Sequence, residues 1–354
     1  MKKNITFLFI SLFLLIACNN DEDNSAIPAS PATTHASLNG GSVNLTWTVV
    51  EGTGITYNVY RSDSPVKLNA VPLTEAKFTD VLKTTGSFTY SITATLGGVE
   101  SAKGIVSEKV ILELPKTKTV QTIDKYYDTK YEYTYSYDTS NITKLMTIST
   151  KATTKNVKTQ EVTITNSIAK YIYTGDLITK SMVYIDDNIL KSSLEYMYNE
   201  QKKLIAGIRK KADGSISSTV TYTYNQDGTI TETDDTPYSG PGIYTYEKGN
   251  YVKYQITTPM PDGDAYVAIT DYVYDSKNES NINILGFNLF ANFAKNNAIS
   301  SSTIFNFNGV LQSTESSKSD CTYNENGYIL TKMKNVMSSS GATIQTEKTV
   351  VTYY

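Results

Sequence analysis

Aromatic and hydroxyl-bearing residues alternate along the last two thirds of the chain. Residues 220–224 read Val-Thr-Tyr-Thr-Tyr, so Tyr222 and Tyr224 are two positions apart with threonines between. Because successive side chains of a strand point to opposite faces, one face carries tyrosine and the other threonine. Residues 225–228 (Asn-Gln-Asp-Gly) favour a tight turn, and Ile230 then resumes the apolar pattern. This stretch predicts a β-hairpin.

The same unit returns along the chain with loops of varying length. Between copies lies a second turn, as at Asp213-Gly214. Each repeat is therefore predicted to contain two strands and two turns of an antiparallel meander. The second aromatic residues of the copies are Tyr137, Tyr173, Tyr198, Tyr224, Tyr246, Tyr274 and Phe307.

The repeated pattern Tyr-x-Tyr-Asn/Asp-x-x-Gly-x-Ile/Leu resembles the YD (Rhs-type) repeat. It also resembles the YD-repeat-like domains of Bacteroidota surface lipoproteins, and the resemblance covers residues 124–354. Two copies depart from the pattern: glycine is missing from the turn after Tyr198, and phenylalanine replaces tyrosine at Phe305 and Phe307. The resemblance implies a repetitive β architecture and no particular activity.

Short strand-like runs also fill residues 31–114. The combination of Leu45-Thr-Trp47, the run at 57–61 and Tyr90-Ser-Ile92 resembles a fibronectin type III domain. That resemblance implies an Ig-like sandwich in which Trp47 is a core residue. It also implies that Tyr90 is a tyrosine-corner residue whose hydroxyl bonds to nearby backbone.

The N-terminus carries the features of an exported, lipid-anchored protein. Residues 1–17 combine two lysines with a short apolar run and read as a signal peptide. Leu-Ile-Ala-Cys at 15–18 resembles a bacterial lipobox, which implies lipidation of Cys18 and membrane attachment through it. Residues 18–30 are polar and acidic and are predicted to be a flexible tether. We expect an outer-membrane location, either at the cell surface or facing the periplasm.

These segments together predict an all-β protein. A fibronectin type III-like sandwich is followed, after a polar linker at 115–123, by a large antiparallel meander curled into an open roll or barrel-like shell. A closed barrel is the alternative. Residues 284–295 are apolar, and the spacing of Leu285, Leu289 and Phe293 makes this the one stretch that favours a helix. It is predicted to plug one end of the sheet; an exposed partner-binding segment is the alternative.

Charge and cysteine content narrow the possible partners. The net charge is −3, and removal of the signal peptide leaves 30 basic and 35 acidic residues, or −5. No basic block is present, which argues against nucleic acid binding because that binding depends on neutralising phosphates. The only cysteines are Cys18 and Cys321. A lipidated Cys18 leaves no intrachain disulfide, and Cys321 is predicted to be a small buried residue.

Catalytic chemistry has little support in the sequence. The single histidine, His35, cannot build a multi-histidine zinc site, and no cofactor or metal is expected. Asp234, Asp235, Asp262 and Asp264 are candidates for a glycosidase carboxylate pair, but all lie in turn-forming contexts. A calcium site at Asp262 and Asp264 is an alternative to a plain turn. We expect no enzymatic activity.

The large supply of tyrosine, 28 residues, suggests a binding role. Most of these rings are expected to pack the sheet, while some are free to hold a polysaccharide or an extended peptide. The sequence therefore predicts a non-catalytic binding module. The alternatives are an assembly protein that docks other envelope proteins and, with less support, a glycan-active enzyme. The predicted ligand-binding residues are Tyr222, Tyr224, Tyr244 and Tyr246.

Overall fold

A computed structural model describes residues 27–186, 188–237 and 239–354, and it is built almost entirely of strands. The predicted signal peptide, Cys18 and most of the tether lie outside the described residues. Within these ranges no helix is both long and apolar enough to cross a membrane. The described chain therefore confirms an all-β class.

The first eight strands form three small sheets around one core. The orders are β1-β2-β4, β3-β6-β7 and β5-β8. Alternate residues of β2 and β6 are fully buried, among them Val43, Leu45 and Ile92. The fibronectin type III assignment itself stays a prediction. The strands are β1 Thr34–Asn39, β2 Ser42–Trp47, β3 Thr56–Arg61, β4 Lys77–Val81, β5 Gly86–Phe88, β6 Tyr90–Leu96, β7 Val99–Glu100 and β8 Val110–Leu112.

The structure confirms the prediction for Trp47 but not the one for Tyr90. Trp47 is buried as predicted, with its ring 5.4 Å edge-on from that of Tyr57. The Tyr90 hydroxyl does not bond to backbone; it donates to the Asp80 carboxylate at 2.8 Å. Arg61 donates to the same carboxylate oxygen at 2.8 Å, so a charged acceptor is already held within reach. The predicted backbone partner of Tyr90 was wrong.

The remaining sixteen strands close into one antiparallel barrel, in which β24 pairs with β9. The prediction of an open roll was wrong and the alternative, a closed barrel, is correct. The strands are β9 Pro115–Asp124, β10 Tyr127–Tyr137, β11 Leu145–Asn156, β12 Val162–Thr174, β13 Leu177–Ile185, β14 Ile189–Tyr198, β15 Leu204–Lys211, β16 Ile216–Tyr224, β17 Ile230–Asp234, β18 Gly242–Glu247, β19 Asn250–Pro259, β20 Ala265–Asn278, β21 Asn296–Phe307, β22 Val310–Tyr323, β23 Ile329–Ser338 and β24 Thr343–Tyr353.

Residues 115–123, predicted to be a linker, belong to the strand that closes the barrel. β9 pairs with β10 on one side and with β24 on the other, and the hydroxyls of Thr117 and Thr352 lie 2.7 Å apart. The run Lys-Thr-Lys-Thr is polar at every position and lacks the apolar face by which a strand is usually recognised. Such a strand is stable here because its backbone amide and carbonyl groups are paired with β10 on one side and β24 on the other.

The register separates a lumen-facing set of side chains from an outward-facing set. The repeat tyrosines face inward, and the threonines and charged residues between them face outward. Several ion pairs lie on the outer wall. They include Lys130–Glu132 and the contacts of Glu195 with both Lys180 and Lys210. The outer wall thus carries many hydroxyl-bearing and charged residues, together with exposed aliphatic residues such as Val162, Ile164 and Ile172 on β12.

Residues 279–295, between β20 and β21, fold into one end of the barrel and are called the plug here. The plug contains a single short 3-10 turn, Phe287–Leu289. The rings of Phe287 and Phe290 lie 6.0 and 5.3 Å from the inward tyrosines Tyr171 and Tyr196. The apolar plug predicted from the sequence is confirmed.

The plug also joins the barrel to the N-terminal sheets. The amide of Leu285 donates to the Thr143 carbonyl at 2.9 Å, and the Thr143 hydroxyl donates to the Gly40 carbonyl at 2.8 Å. Gly40 has a positive φ, and a Cβ there would lie 2.5 Å from the Leu285 side chain. Glycine is therefore favoured at this close approach, chiefly because of its positive φ. Ile284 is buried in the same hydrophobic core as the N-terminal sheets.

The second tyrosine of most repeats has a specific structural task. Its hydroxyl donates to a backbone carbonyl on a neighbouring strand, as from Tyr198 to Ile178 at 2.8 Å and from Tyr274 to Tyr251 at 2.8 Å. A β-bulge falls at the tyrosine in both cases. The bulge bends the strand while the hydroxyl ties it to its neighbour. Tyr137, Tyr224 and Tyr353 make equivalent bonds to Pro115, Leu204 and Ile329.

We predict that Tyr198→Phe lowers the free energy of unfolding by about 1 kcal/mol, because one half-buried hydrogen bond is lost without a change of ring packing. The urea midpoint measures this loss. Tyr184→Phe is the matched control: Tyr184 faces outward on the adjacent strand and its hydroxyl has only a Met182 sulfur at 3.5 Å. Equal midpoints for the two variants would contradict a structural role for the repeat hydroxyl.

Candidate functional site

An aromatic and charged group of side chains faces the lumen on strands β15 to β19, and we call it the lumen patch. Tyr244 and Tyr254 are directly paired across β18 and β19, with ring centroids 4.5 Å apart. A Cβ on Gly242 would lie 2.6 Å from the Tyr254 hydroxyl, so glycine permits that ring to lie against the wall. The lumen patch comprises Arg209, Tyr222, Glu232, Asp234, Tyr244 and Tyr254.

Glu232 lies at the centre of the lumen patch. It is paired with Tyr222 across the sheet, and the Tyr244 hydroxyl donates to its carboxylate at 3.4 Å. Burial raises the pKa of Glu232 above the usual range, although the hydrogen bonds from Tyr222 and Tyr244 oppose that shift. Burial, followed by the charge of Glu232, raises the pKa of Tyr244. The hydroxyls therefore remain protonated donors beside a carboxyl group that resists ionisation.

Asp234 has a different environment two residues further along the same strand. Its carboxylate forms an ion pair with Arg209, whose guanidinium also donates to the Ser218 hydroxyl at 3.1 Å. Partial burial disfavours the charged form of Asp234, but the hydrogen bond from Arg209 and those from Thr236 outweigh it and lower its pKa. The patch therefore presents a fixed ion pair next to Glu232 and an aromatic surface.

The structure divides the four predicted ligand-binding tyrosines into two pairs. Tyr222 and Tyr244 both lie beside Glu232 in the lumen patch. Tyr224 and Tyr246 instead bond to backbone carbonyls, of Leu204 at 3.1 Å and of Ala291 in the plug. The second pair thus has a structural task, and a ligand-binding role for all four stays a prediction.

Three members of the lumen patch were missed by the sequence reasoning: Arg209, Glu232 and Tyr254. Glu232 lies two residues after Ile230, so its direction follows from the alternation that starts at the hairpin turn. No sequence pattern around Arg209 indicates its direction. Its lumen-facing position follows only from its pairing with Ser218 on the next strand. Tyr254 belongs to a return strand, where the repeat pattern does not specify an aromatic residue.

The other acidic candidates accept hydrogen bonds within turns or between a turn and a neighbouring segment. The Asp235 carboxylate accepts from the Thr219 amide at 2.7 Å, and the Asp264 carboxylate accepts from the Asn308 side chain at 2.7 Å. The Asp262 carboxylate accepts the Asp264 amide at 3.2 Å. In the described part of the chain, no group of three metal-ligating side chains comes together. These contacts favour the plain-turn interpretation over a calcium site.

His35 and Cys321 have ordinary surroundings. His35 is exposed on β1, with its Nδ1 3.1 Å from the Glu108 carboxylate. Cys321 is half-buried rather than buried, so that prediction was wrong in degree. It faces the lumen opposite Lys332 on β23, where the barrel is too wide to enclose every inward side chain.

Comparison with known proteins gives no family for this chain. No protein-family description matches it, and no curated protein does. Among solved structures, a porin-like protein from Bacteroides uniformis is similar at 13% identity and a TM-score of 0.44, covering 68% of this chain and 96% of that one. A porin-like protein from Bacteroides vulgatus is similar at 13% identity and a TM-score of 0.37, covering 69% and 99%.

We predict that Glu232→Gln stabilises the protein at neutral pH, by about 0.5–1 kcal/mol because the group is only half-buried. The pKa of Glu232 is raised on folding, so its ionisation costs stability once the pH rises through the unfolded and then the folded pKa. Below that window the variant and the parent protein should be equally stable. Urea midpoints across pH measure the difference.

Glu195→Gln is the control with the opposite sign. The hydrogen bonds from Lys210 and Lys180 lower the pKa of Glu195 on the outer wall. Its ionised form therefore stabilises the fold above the unfolded pKa, and that contribution disappears as the pH falls through the folded pKa. This variant should be slightly less stable than the parent at neutral pH and equal to it in acid. The same sign for both variants would contradict the contrast between lumen and outer wall.

Proposed function

We propose that this protein is a lipid-anchored, non-catalytic binding protein whose barrel lumen holds a glycan chain. The observation that carries the proposal is the lumen patch, where Tyr244 and Tyr254 present paired rings beside Glu232 and the Arg209–Asp234 ion pair. Aromatic faces pack against the apolar C–H face of a sugar ring. Carboxyl, guanidinium and phenol groups then supply the donors and acceptors that fix sugar hydroxyls.

Closure of the barrel favours a glycan over an extended peptide. Peptides that bind to sheets commonly add a strand at an open edge. Each of the sixteen barrel strands, β9 to β24, is paired on both sides, so the barrel wall offers no such edge. A ligand of the lumen must instead be recognised by side chains, and those of the lumen patch are tyrosine, arginine and carboxylic acid groups.

The outer wall supports anchoring by lipid rather than by the barrel itself. A barrel that crosses a bilayer carries an apolar band on its outward face. Here ion pairs of Lys130 and Glu195 lie on the outward face, and the exposed aliphatic residues Val162, Ile164 and Ile172 of β12 share that face with Lys170 and Asn166. We propose that the barrel lies in water and is held at the outer membrane through Cys18, at the cell surface or facing the periplasm.

We predict that a glycan which binds the protein loses about tenfold in affinity on Tyr254→Ala, because the stacking surface of the patch is removed. Titration calorimetry on residues 19–354, after a screen of bacterial, host and plant polysaccharides with extended peptides alongside, measures the effect. Tyr184→Ala, which removes an outward tyrosine, should leave the affinity unchanged.

Three other outcomes of these titrations would contradict parts of the proposal. Equal loss in both tyrosine variants would show that the lumen patch is not the site. Binding of peptides alone would overturn the glycan assignment. Release of shorter saccharides during the titration would overturn the non-catalytic part of the proposal and point to Glu232 and Asp234. Their environments shift their pKa values in opposite directions, as in a pair of catalytic carboxyl groups.

The proposed lipid anchor at Cys18 can be tested independently of the lumen. Cys18→Ala should move the protein from the membrane fraction to the soluble fraction, because the multiple acyl chains on Cys18 supply the membrane affinity. Detergent phase partitioning of cell extracts measures the shift. A Cys321→Ala variant is the control and should remain in the detergent phase. Retention of the Cys18→Ala protein in the membrane would contradict lipid anchoring.

A further inference from the structure

A half-enclosed cavity of about 480 Å³ lies against the lumen side of the plug, apart from the lumen patch. One wall is aromatic and includes Tyr171, Tyr196 and Phe287. The opposite wall is charged and polar and includes Lys118 on β9, Lys332 on β23 and Glu347 and Thr349 on β24. The volume suits a single ring-sized group with substituents.

The two lysines of the charged wall have no partner of their own. Within the described ranges, neither Lys118 nor Lys332 forms an ion pair, whereas the lysines of the outer wall bridge to carboxylates. Lys332 is also half-buried, and burial lowers its pKa. An unpaired ammonium group in such a position costs free energy unless an anion joins it. The wall is therefore suited to a negatively charged ligand.

Acceptors for hydroxyl groups surround the same cavity. The side-chain oxygen of Asn281, on the plug, is buried and has no hydrogen-bond partner among the described residues. Two carboxylates line the same cavity: Glu279 on the plug, which already accepts hydrogen bonds from Ser280 and Asn281, and Glu347 on β24, whose charge acts on Lys332. A ligand that matches must combine a negative charge with hydroxyl donors and a flat face for the aromatic wall.

We propose that this cavity binds a hexuronic acid residue of a glycan. The carboxylate lies against Lys332 and Lys118, the hydroxyls donate to Glu347 and Asn281, and the sugar face packs on the aromatic wall. The assignment rests on the proposed function, because the acidic residue belongs to the chain that the lumen patch holds. It adds a second subsite and names the chemical class that this subsite selects.

The test uses two matched probes: an oligosaccharide that contains glucuronic acid, and the same oligosaccharide after reduction of its carboxyl groups to alcohols. Titration calorimetry on residues 19–354 should show tighter binding of the acidic form. Lys332→Met should weaken binding of the acidic form at least about tenfold, the effect of losing a charged hydrogen bond, and leave the reduced form within about twofold. Lys332→Arg should retain most of the preference.

Lys348→Met is the control, because Lys348 faces outward on β24 and its loss changes the net charge equally. Thermal unfolding of each variant verifies that it folds. Equal weakening of both probes by Lys332→Met, or unchanged binding of the acidic probe, would overturn the uronic acid subsite. Binding of both probes with equal affinity would overturn it too and leave the proposed function standing. Failure of the parent protein to bind either probe would overturn the subsite, while the wider polysaccharide screen decides the proposed function separately.

Discussion

Pairing between β24 and β9 is the constraint on which the rest of the structure depends. It joins Thr352 to Thr117 across almost the whole length of the barrel sequence. Without that pairing the meander would have two long polar edges with unpaired amide and carbonyl groups, which favour association with other chains. Closure satisfies both edges and converts a curved sheet into a lumen. Closure therefore produces a barrel with a lumen rather than an open sheet with two exposed faces.

Closure also creates a problem that the tyrosines and the plug solve together. Sixteen strands enclose a space too wide for side chains alone to fill. At one end, long aromatic side chains reach inward and meet Phe287 and Phe290 of the plug, and the sheets of the N-terminal region cover the outside. Hydroxyls such as those of Tyr198 and Tyr274 then bond to backbone carbonyls. Tyrosine fits this task because it combines a packing surface with a polar tip.

The local parts of this design could be predicted from the sequence and the global closure could not. Alternation around Tyr222 and Tyr224 defines hairpins, because it depends only on neighbouring residues. Closure depends on residues 115–123, whose first part, Lys-Thr-Lys-Thr at 116–119, is polar on both faces and indistinguishable from a linker until its partners are known. The same limit hid Arg209 and Lys332. Whether such a charge faces the lumen or solvent depends on register across strands, and one residue of slip reverses it.

The distribution of charge between the two walls bears on function. On the outer wall Glu195 bridges Lys180 and Lys210. These charges remain in contact with water, so the ion pairs involve little loss of solvation free energy. In the lumen Lys332 stays unpaired and Glu232 is held where its ionisation is disfavoured. Burial of these two charges costs free energy that uncharged residues of similar size would not cost. Departures from the most stable choice concentrate where a ligand is bound, and here both lie inside the barrel.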